Sequence, residues 1–374
     1  MNYCKKCILP DSRPGIILNN NGICSGCEGH EIKKNQIDWK EREKNLFKIF
    51  NEAKKKSSSY DCIVPVSGGK DSWYQIITAK KFGLSVLALT WKTPARTPIG
   101  EENLKNMLDK LKVDHIDYSF SNDTEKKFMV ATFEKLGSPG LPMHLGIFTM
   151  CTRMSILLKI PLIIWGENSQ LEYGGKREDQ LQTDLNDEWL SKHGCMEGTA
   201  SEDWVGINGL TRENLIPYSL PKVKDYVPKS IFLGSFLKWN SFDILEQVKK
   251  YGFRYDENYG KVGAWNFADI DCDFISLHHY LKWHKFGMTR SFDNLSIQIR
   301  YGLINRESAI SKIKELGHVI PHDDIKKFCN FVEKPTTWFF ERCEKFRNKK
   351  IWYKDNDTWK IKNFLISDWK WNED

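Results

Sequence analysis

Two short runs of residues have types and spacings that specify chemistry. Cys4-x-x-Cys7 and Cys24-x-x-Cys27 are separated by sixteen residues. A Cys-x-x-Cys turn can point both sulfurs at one ion, and two such turns supply four soft donors for tetrahedral zinc. Four thiolates leave no open coordination position, so the zinc is expected to be structural. It would hold together a segment with too few apolar residues to fold alone. The second run is Ser67-Gly68-Gly69-Lys70-Asp71-Ser72, which follows an apolar stretch and opens a helical pattern. Two glycines let the backbone approach an anion closely, and the amides of the loop and helix start then face phosphate oxygens. Lys70 adds a mobile positive charge. Asp71 offers a hard oxygen to a magnesium ion bridging the phosphates. Ser67 and Ser72 can donate hydroxyl hydrogen bonds. Lys70 and Asp71 are the candidate catalytic pair. The run is neither a Walker A loop nor a dinucleotide fingerprint.

These runs need elements that hold them in place. From Tyr60 onward, short apolar stretches alternate with helical ones: strands over 61–66, 84–91, 113–120 and 160–165, and helices near 72–82, 101–111, 123–136 and 150–159. This alternation predicts an α/β fold, a doubly wound parallel sheet whose ligands bind at the carboxyl ends of the strands. Ser67, Trp91 and Glu167 should lie at that end. Trp91 ends the second strand there and is a candidate nucleotide contact, and Glu167 and Asn168 are candidate substrate contacts. The predicted organisation is a zinc ribbon (1–31), a linking helix (32–59), a nucleotide-binding domain (60–220) and a mainly helical C-terminal region (221–374). Residues 174–220 are polar and read as excursions around the site.

Composition bounds the function. Across 374 residues, 56 Lys and Arg face 49 acidic side chains, giving a net charge of +7. The excess is spread along the chain and forms no basic stripe interleaved with aromatics, so nucleic acid is not an expected partner. No apolar run approaches the roughly 18 residues of a membrane span, and the N-terminus lacks a signal-peptide core. A cytoplasmic location is expected, with the ten cysteines reduced or metal-bound. Among later residues, Arg290, Arg300 and Arg306 suit a carboxylate or diphosphate, and Arg290 is the candidate substrate contact.

The Ser67–Ser72 run, in its strand-loop-helix setting, resembles the PP-loop of ATP pyrophosphatases, which cleave ATP between the α- and β-phosphates. Its HUP-like fold class agrees with the doubly wound sheet. Further matches are Tyr3 to Gly15, Gly22 to Cys27, Trp165-Gly166-Glu167-Asn168 and the aromatic, basic stretch His278 to Trp283. Together they make nearly the whole chain similar to the N-acetyl sugar amidotransferase family of the WbpG/PseA type. The resemblance implies an AMP-forming enzyme that turns an acetamido group of a bacterial surface sugar into an acetamidino group, in O-antigen or flagellin-glycan synthesis. The sugar would be nucleotide-linked or free, and ammonia would come from a separate glutaminase subunit of the histidine-biosynthesis type. The alternative is a PP-loop tRNA thiolation enzyme. Such enzymes add a Cys-x-x-Cys pair after the loop, whereas Cys151 has no such neighbour and Cys195 is 44 positions away.

Overall fold

The structure is a computed structural model that describes residues 1–194, 197–221, 226–256 and 262–371. Its centre is a five-stranded sheet of β1 (Cys62–Pro65), β2 (Val86–Trp91), β3 (Asp114–Tyr118), β4 (Leu162–Trp165) and β5 (Lys229–Phe232). The spatial order is β3-β2-β1-β4-β5, and every neighbouring pair is parallel. The chain winds outward from β1 through β2 to β3, then returns to the other side of β1 with β4. The carboxyl ends of β1 and β4 are therefore the topological switch point, where such sheets open a crevice.

Strand alternation divides the core in two. Cys62 and Val64 of β1, Val86 and Ala88 of β2, and Leu162 and Ile164 of β4 face one apolar layer, with Leu46, Phe50, Ile76 and Leu104 from helices. Ile63, Leu87, Leu89, Trp91 and Ile163 face the other, with Phe128, Leu145, Met150 and Tyr218. Helices cover both faces, as a doubly wound sheet requires. Their starts are set by side-chain caps: Asp38 for Trp39–Lys56, Thr97 for Pro98–Leu111 and Ser121 for Asn122–Leu136.

Several boundaries depart from the sequence expectation. The helix expected near 150–159 begins at Leu141 and runs to Leu158. Its eighteen residues have the length and mean hydropathy, 1.3, to cross a bilayer, contrary to the reading that no run comes close. Here it is a core helix that contributes Leu141, Leu145, Met150 and Cys151 to the second layer. The boundary expected at 220 falls inside the sheet unit, because β5 pairs with β4 over Leu162↔Lys229 to Trp165↔Phe232. Trp39–Lys56 is more than a linker, since Leu46, Phe50 and Ala53 pack under the sheet. Residues 174–220 supply buried Trp189, Trp204, Leu210, Leu215 and Tyr218. Beyond 270 the chain is helical, ending in an antiparallel hairpin of β6 (Trp352–Asp355) and β7 (Thr358–Ile361). A third apolar cluster joins the four N-terminal cysteines to Trp283, Phe292, Trp352 and Trp369, so the ribbon shares its core with the C-terminal region.

Candidate active site and metal centre

The N-terminal cysteines converge. All four are fully buried, and their sulfurs lie within 4.8 Å of one another. Cys4 and Cys27 are 3.9 Å apart, and Cys7 and Cys24 are 3.5 Å apart. Zinc–sulfur bonds of about 2.3 Å in a tetrahedron demand sulfur separations of roughly 3.8 Å, so the cage fits the ion. Backbone amides of Cys7 and Cys24 donate to Cys4 Sγ, and that of Cys27 donates to Cys24 Sγ, stabilising the thiolate form. Arg300 places Nη2 3.8 Å from Cys24 Sγ while Nη1 donates to the Glu172 carbonyl at 2.8 Å. Arg306 donates to the Cys7 carbonyl at 3.0 Å. Two of the three arginines considered for substrate thus serve the ribbon. His30 stays outside the cage, edge-on to Tyr301 at 4.9 Å.

The Ser67–Ser72 loop leaves β1 at the switch point. Gly68 has φ +91°, and a Cβ there would stand 2.5 Å from the Gly100 carbonyl oxygen, so only glycine lets the loop lie on the next helix. Gly69 is the N-cap of Lys70–Lys81 and offers no side chain to it, which leaves the first-turn amides to an anion. Ser72 Oγ donates to the Gly69 carbonyl at 2.8 Å. The Lys70 ammonium is nearly buried and lies 2.7 Å from both oxygens of Asp71, whose own side chain is 41% exposed.

Glu167 follows β4 at the neighbouring strand end. Burial first, then the negative charges of Asp71 and Glu172, push its carboxyl up to about 7, against the pull of Lys70 and Arg290. It is therefore a proton-exchanging group beside the loop. Arg290 does reach this region. It pairs with Asp269 at 3.1 Å and Asp293 at 3.4 Å, and lies over the Tyr173 ring at 5.5 Å. Arg13 of the ribbon covers the same ring at 5.4 Å and binds Asp293 at 2.6 Å. Lys282 completes the Asp293 cluster at 2.9 Å. Asp293 and Asp269 stay well below the usual carboxylate range: burial works against this, and the neighbouring cations overcome it.

Two expected contacts fall elsewhere. Asn168 is 1% exposed and its amide is fully engaged. It accepts from Gln170 and Leu171 amides and donates to the Asp179 and Gln182 carbonyls, bracing residues 168–182. Trp91 ends β2 at the expected edge but shares the parity of Leu87 and Leu89. Its indole, 6% exposed, therefore sinks into the second core layer. Beside it lies Glu125, which burial pushes up to about 7.

A further wall of the loop, formed by residues 269–273, is marked by none of the sequence motifs. Asp271 hydrogen-bonds Ser67, and burial raises its carboxyl above the usual range. Its backbone is clamped to the Pro98–Leu111 helix start, where Thr97 N donates to the Asp271 carbonyl at 3.2 Å. Asp269 takes φ +59°, in the left-handed region that Asp tolerates, in the same turn. The signal was the alternation Asp269-x-Asp271-x-Asp273 in an irregular stretch. The other described cysteines, Cys62, Cys151, Cys272, Cys329 and Cys343, are buried. Burial raises the Cys151 thiol above its usual range. Cys195 lies outside the described residues.

Residues 247–365 match the family model described as "LPS biosynthesis protein WbpG-like, C-terminal domain". No curated protein matches the chain. Among solved structures, it is similar to an NH3-dependent NAD synthetase from Campylobacter jejuni subsp. jejuni NCTC 11168 in complex with the nitrate ion. Identity is 18%, covering 50% of this chain and 100% of that one, with a TM-score of 0.30. It is also similar to the NMN synthetase from Francisella tularensis: 13% identity, 60% and 100% coverage, TM-score 0.29.

Proposed function

Because the chain belongs to the WbpG-like family, whose C-terminal domain it carries, we propose that it is an AMP-forming amidotransferase acting on an acetamido sugar of a surface polysaccharide. The observation that carries this reading is the uncapped Gly69–Lys70 helix start, with Lys70 and Asp71 in contact, at the switch point of a parallel sheet. This arrangement suits a polyphosphate better than a dinucleotide or a protein partner. Loop amides, Lys70 and Ser72 would hold the phosphates. Asp71 offers the hard oxygen donor that magnesium needs, and a bound ion would neutralise phosphate charge.

The acetamido oxygen then attacks the α-phosphorus, the bond to the bridging oxygen breaks, and pyrophosphate leaves. Ammonia adds to the imidate carbon, the carbon–oxygen bond breaks, and AMP departs with the former acetamido oxygen, leaving an amidine. The protein's main contributions are positioning and charge placement. Glu167, near neutral pH in its proton affinity, is placed to take the proton that ammonia loses on addition. The ammonia would come from a separate glutaminase of the histidine-biosynthesis type, and the reaction would run in the cytoplasm. Sugars of both lipopolysaccharide O-antigens and flagellin glycans, including pseudaminic-type acids, are candidate substrates.

The test incubates the protein with ATP, magnesium, an ammonium salt and a panel of N-acetylated sugars and nucleotide-sugars. Sugar-dependent AMP, with a product about one dalton lighter as O is replaced by NH, supports the reading. AMP that requires tRNA and a sulfur donor would instead make the chain a thiolation enzyme.

A further inference from the structure

A cavity of about 950 Å³ shares none of its lining residues with the site above. It lies between the helix Ile275–Phe286, the helix Thr336–Lys345, the β6–β7 hairpin and residues 368–371. The helix Ile275–Phe286 is a shared wall. His279 and Lys282 reach the Asp269 and Asp293 clusters, whereas Tyr280 and His284 line the cavity.

Indole and phenyl rings dominate the lining. Trp359, Trp371 and Phe340 are half-buried, with Trp283, Trp352 and Trp369 buried behind them. The rings are fixed by one another: Trp283 meets Trp352 edge-on at 5.0 Å, and His318 is stacked between Tyr280 at 5.2 Å and Trp283 at 4.8 Å. Such platforms are pre-set, and a ligand that lies flat on them loses little to reorganisation of the walls. Polar groups surround them. Four basic and four acidic side chains line the cavity, and six of the eight form the pairs Lys314–Asp368, Lys354–Asp357 and Arg347–Glu344.

Balanced charge argues against a phosphate-rich ligand, which would meet as many carboxylates as ammonium groups. An aliphatic ligand would leave the ion pairs of the rim unused. A pyranose meets both demands: its C–H faces lie on indole rings, while its hydroxyls give and accept hydrogen bonds at carboxylates and ammonium groups. We propose that this cleft is a saccharide-binding site, separate from the catalytic one, that takes a neutral oligosaccharide of acetamido sugars. Its volume admits several rings, and the acetamido methyls add apolar contact. The inference does not depend on the amidination reading, because it requires nothing of the phosphate loop.

The test titrates the full-length, zinc-loaded protein with a β-1,4-linked trimer of N-acetylglucosamine, followed by tryptophan fluorescence and calorimetry. Saturable binding is expected, weakened at least tenfold in Trp359→Ala and in Trp371→Ala. It should be unchanged in Lys70→Ala, which disables only the catalytic loop. Asp368→Asn, a change at an exposed rim position that leaves the packing intact, should weaken binding severalfold, so the inference stays testable if a tryptophan variant fails to fold. Absence of binding overturns the proposal. So does loss of binding in Lys70→Ala with retention in Trp359→Ala and Asp368→Asn, which would place the sugar in the catalytic site alone. Quenching by a proline-rich peptide but not by the trimer would also overturn it, as the cleft would then be a peptide groove.

Discussion

Lys70 and Asp71 neutralise each other across 2.7 Å contacts, so a bound phosphate would draw Lys70 to itself and free the Asp71 oxygens for a cation. Lys70→Ala and Asp71→Ala should each lower turnover at least a hundredfold while leaving the melting curve close to that of the parent. Retained turnover in either variant contradicts the assigned role. Glu167 supplies a pH test. Its carboxyl has its proton affinity raised from 4.5 to about 7, so the folded state binds more protons than the unfolded chain between those values. The sign follows: this group's contribution to stability is fullest at low pH and falls as pH rises through 7. Glu167→Gln removes that loss, so the variant's stability relative to the parent should grow between pH 5 and 8, by on the order of 3 kcal/mol at most. Equal pH dependence of the two proteins would show that Glu167 is not desolvated as described. Residues whose chemistry is local, the loop and the four cysteines, were legible in the sequence. Trp91 was misjudged because a strand-end position fixes the edge of the sheet, whereas the face depends on parity. Asp271, which bonds Ser67, and Tyr173 and Asp269, which meet Arg290, were not legible, since only tertiary packing brings them there.

Among the elements, the ribbon and the short helix Ser169–Tyr173 press together. A Cβ on Gly26 would stand 2.6 Å from the Tyr173 carbonyl oxygen and 2.2 Å from Arg300 Nη2. Gly26→Ala should therefore retain zinc but push the ribbon from the segment that begins at Glu167. A turnover loss of at least tenfold with unchanged metal content is expected. Unchanged turnover would mean the ribbon does not brace the site. Cys24→Ser should take zinc from one per chain to none and cost several kcal/mol of stability, read by metal analysis and calorimetry. The ribbon's identity could be read from spacing, but its seat against Trp283 and Trp352 could not, because no local pattern pairs residue 4 with residue 352. β5 escaped for a different reason. Lys-Ser-Ile-Phe is four residues long at a sheet edge, with only Ile231 and Phe232 buried, too short a signal for period-two reading.

For the whole molecule, the order β3-β2-β1-β4-β5 brings Ser67–Ser72 and Glu167 to one crevice, and the C-terminal region closes it with Asp269, Asp271 and Arg290. The strand–helix alternation from Tyr60 to Trp165 made this sheet class legible, whereas the closing wall comes from residues about a hundred positions later. On the proposed reading ammonia comes from a separate glutaminase, so the chain alone should accept ammonium salts and ignore glutamine. Adding a histidine-type glutaminase should restore glutamine use, and glutamine-dependent product from the chain alone would contradict the two-subunit account. The central claim is that the acetamido oxygen attacks the α-phosphorus. The direct measurement supplies an acetamido sugar labelled with ¹⁸O at its carbonyl and follows the label by mass spectrometry. The account predicts labelled AMP, unlabelled pyrophosphate and an unlabelled amidine. ADP and labelled orthophosphate, or AMP without label, would contradict it.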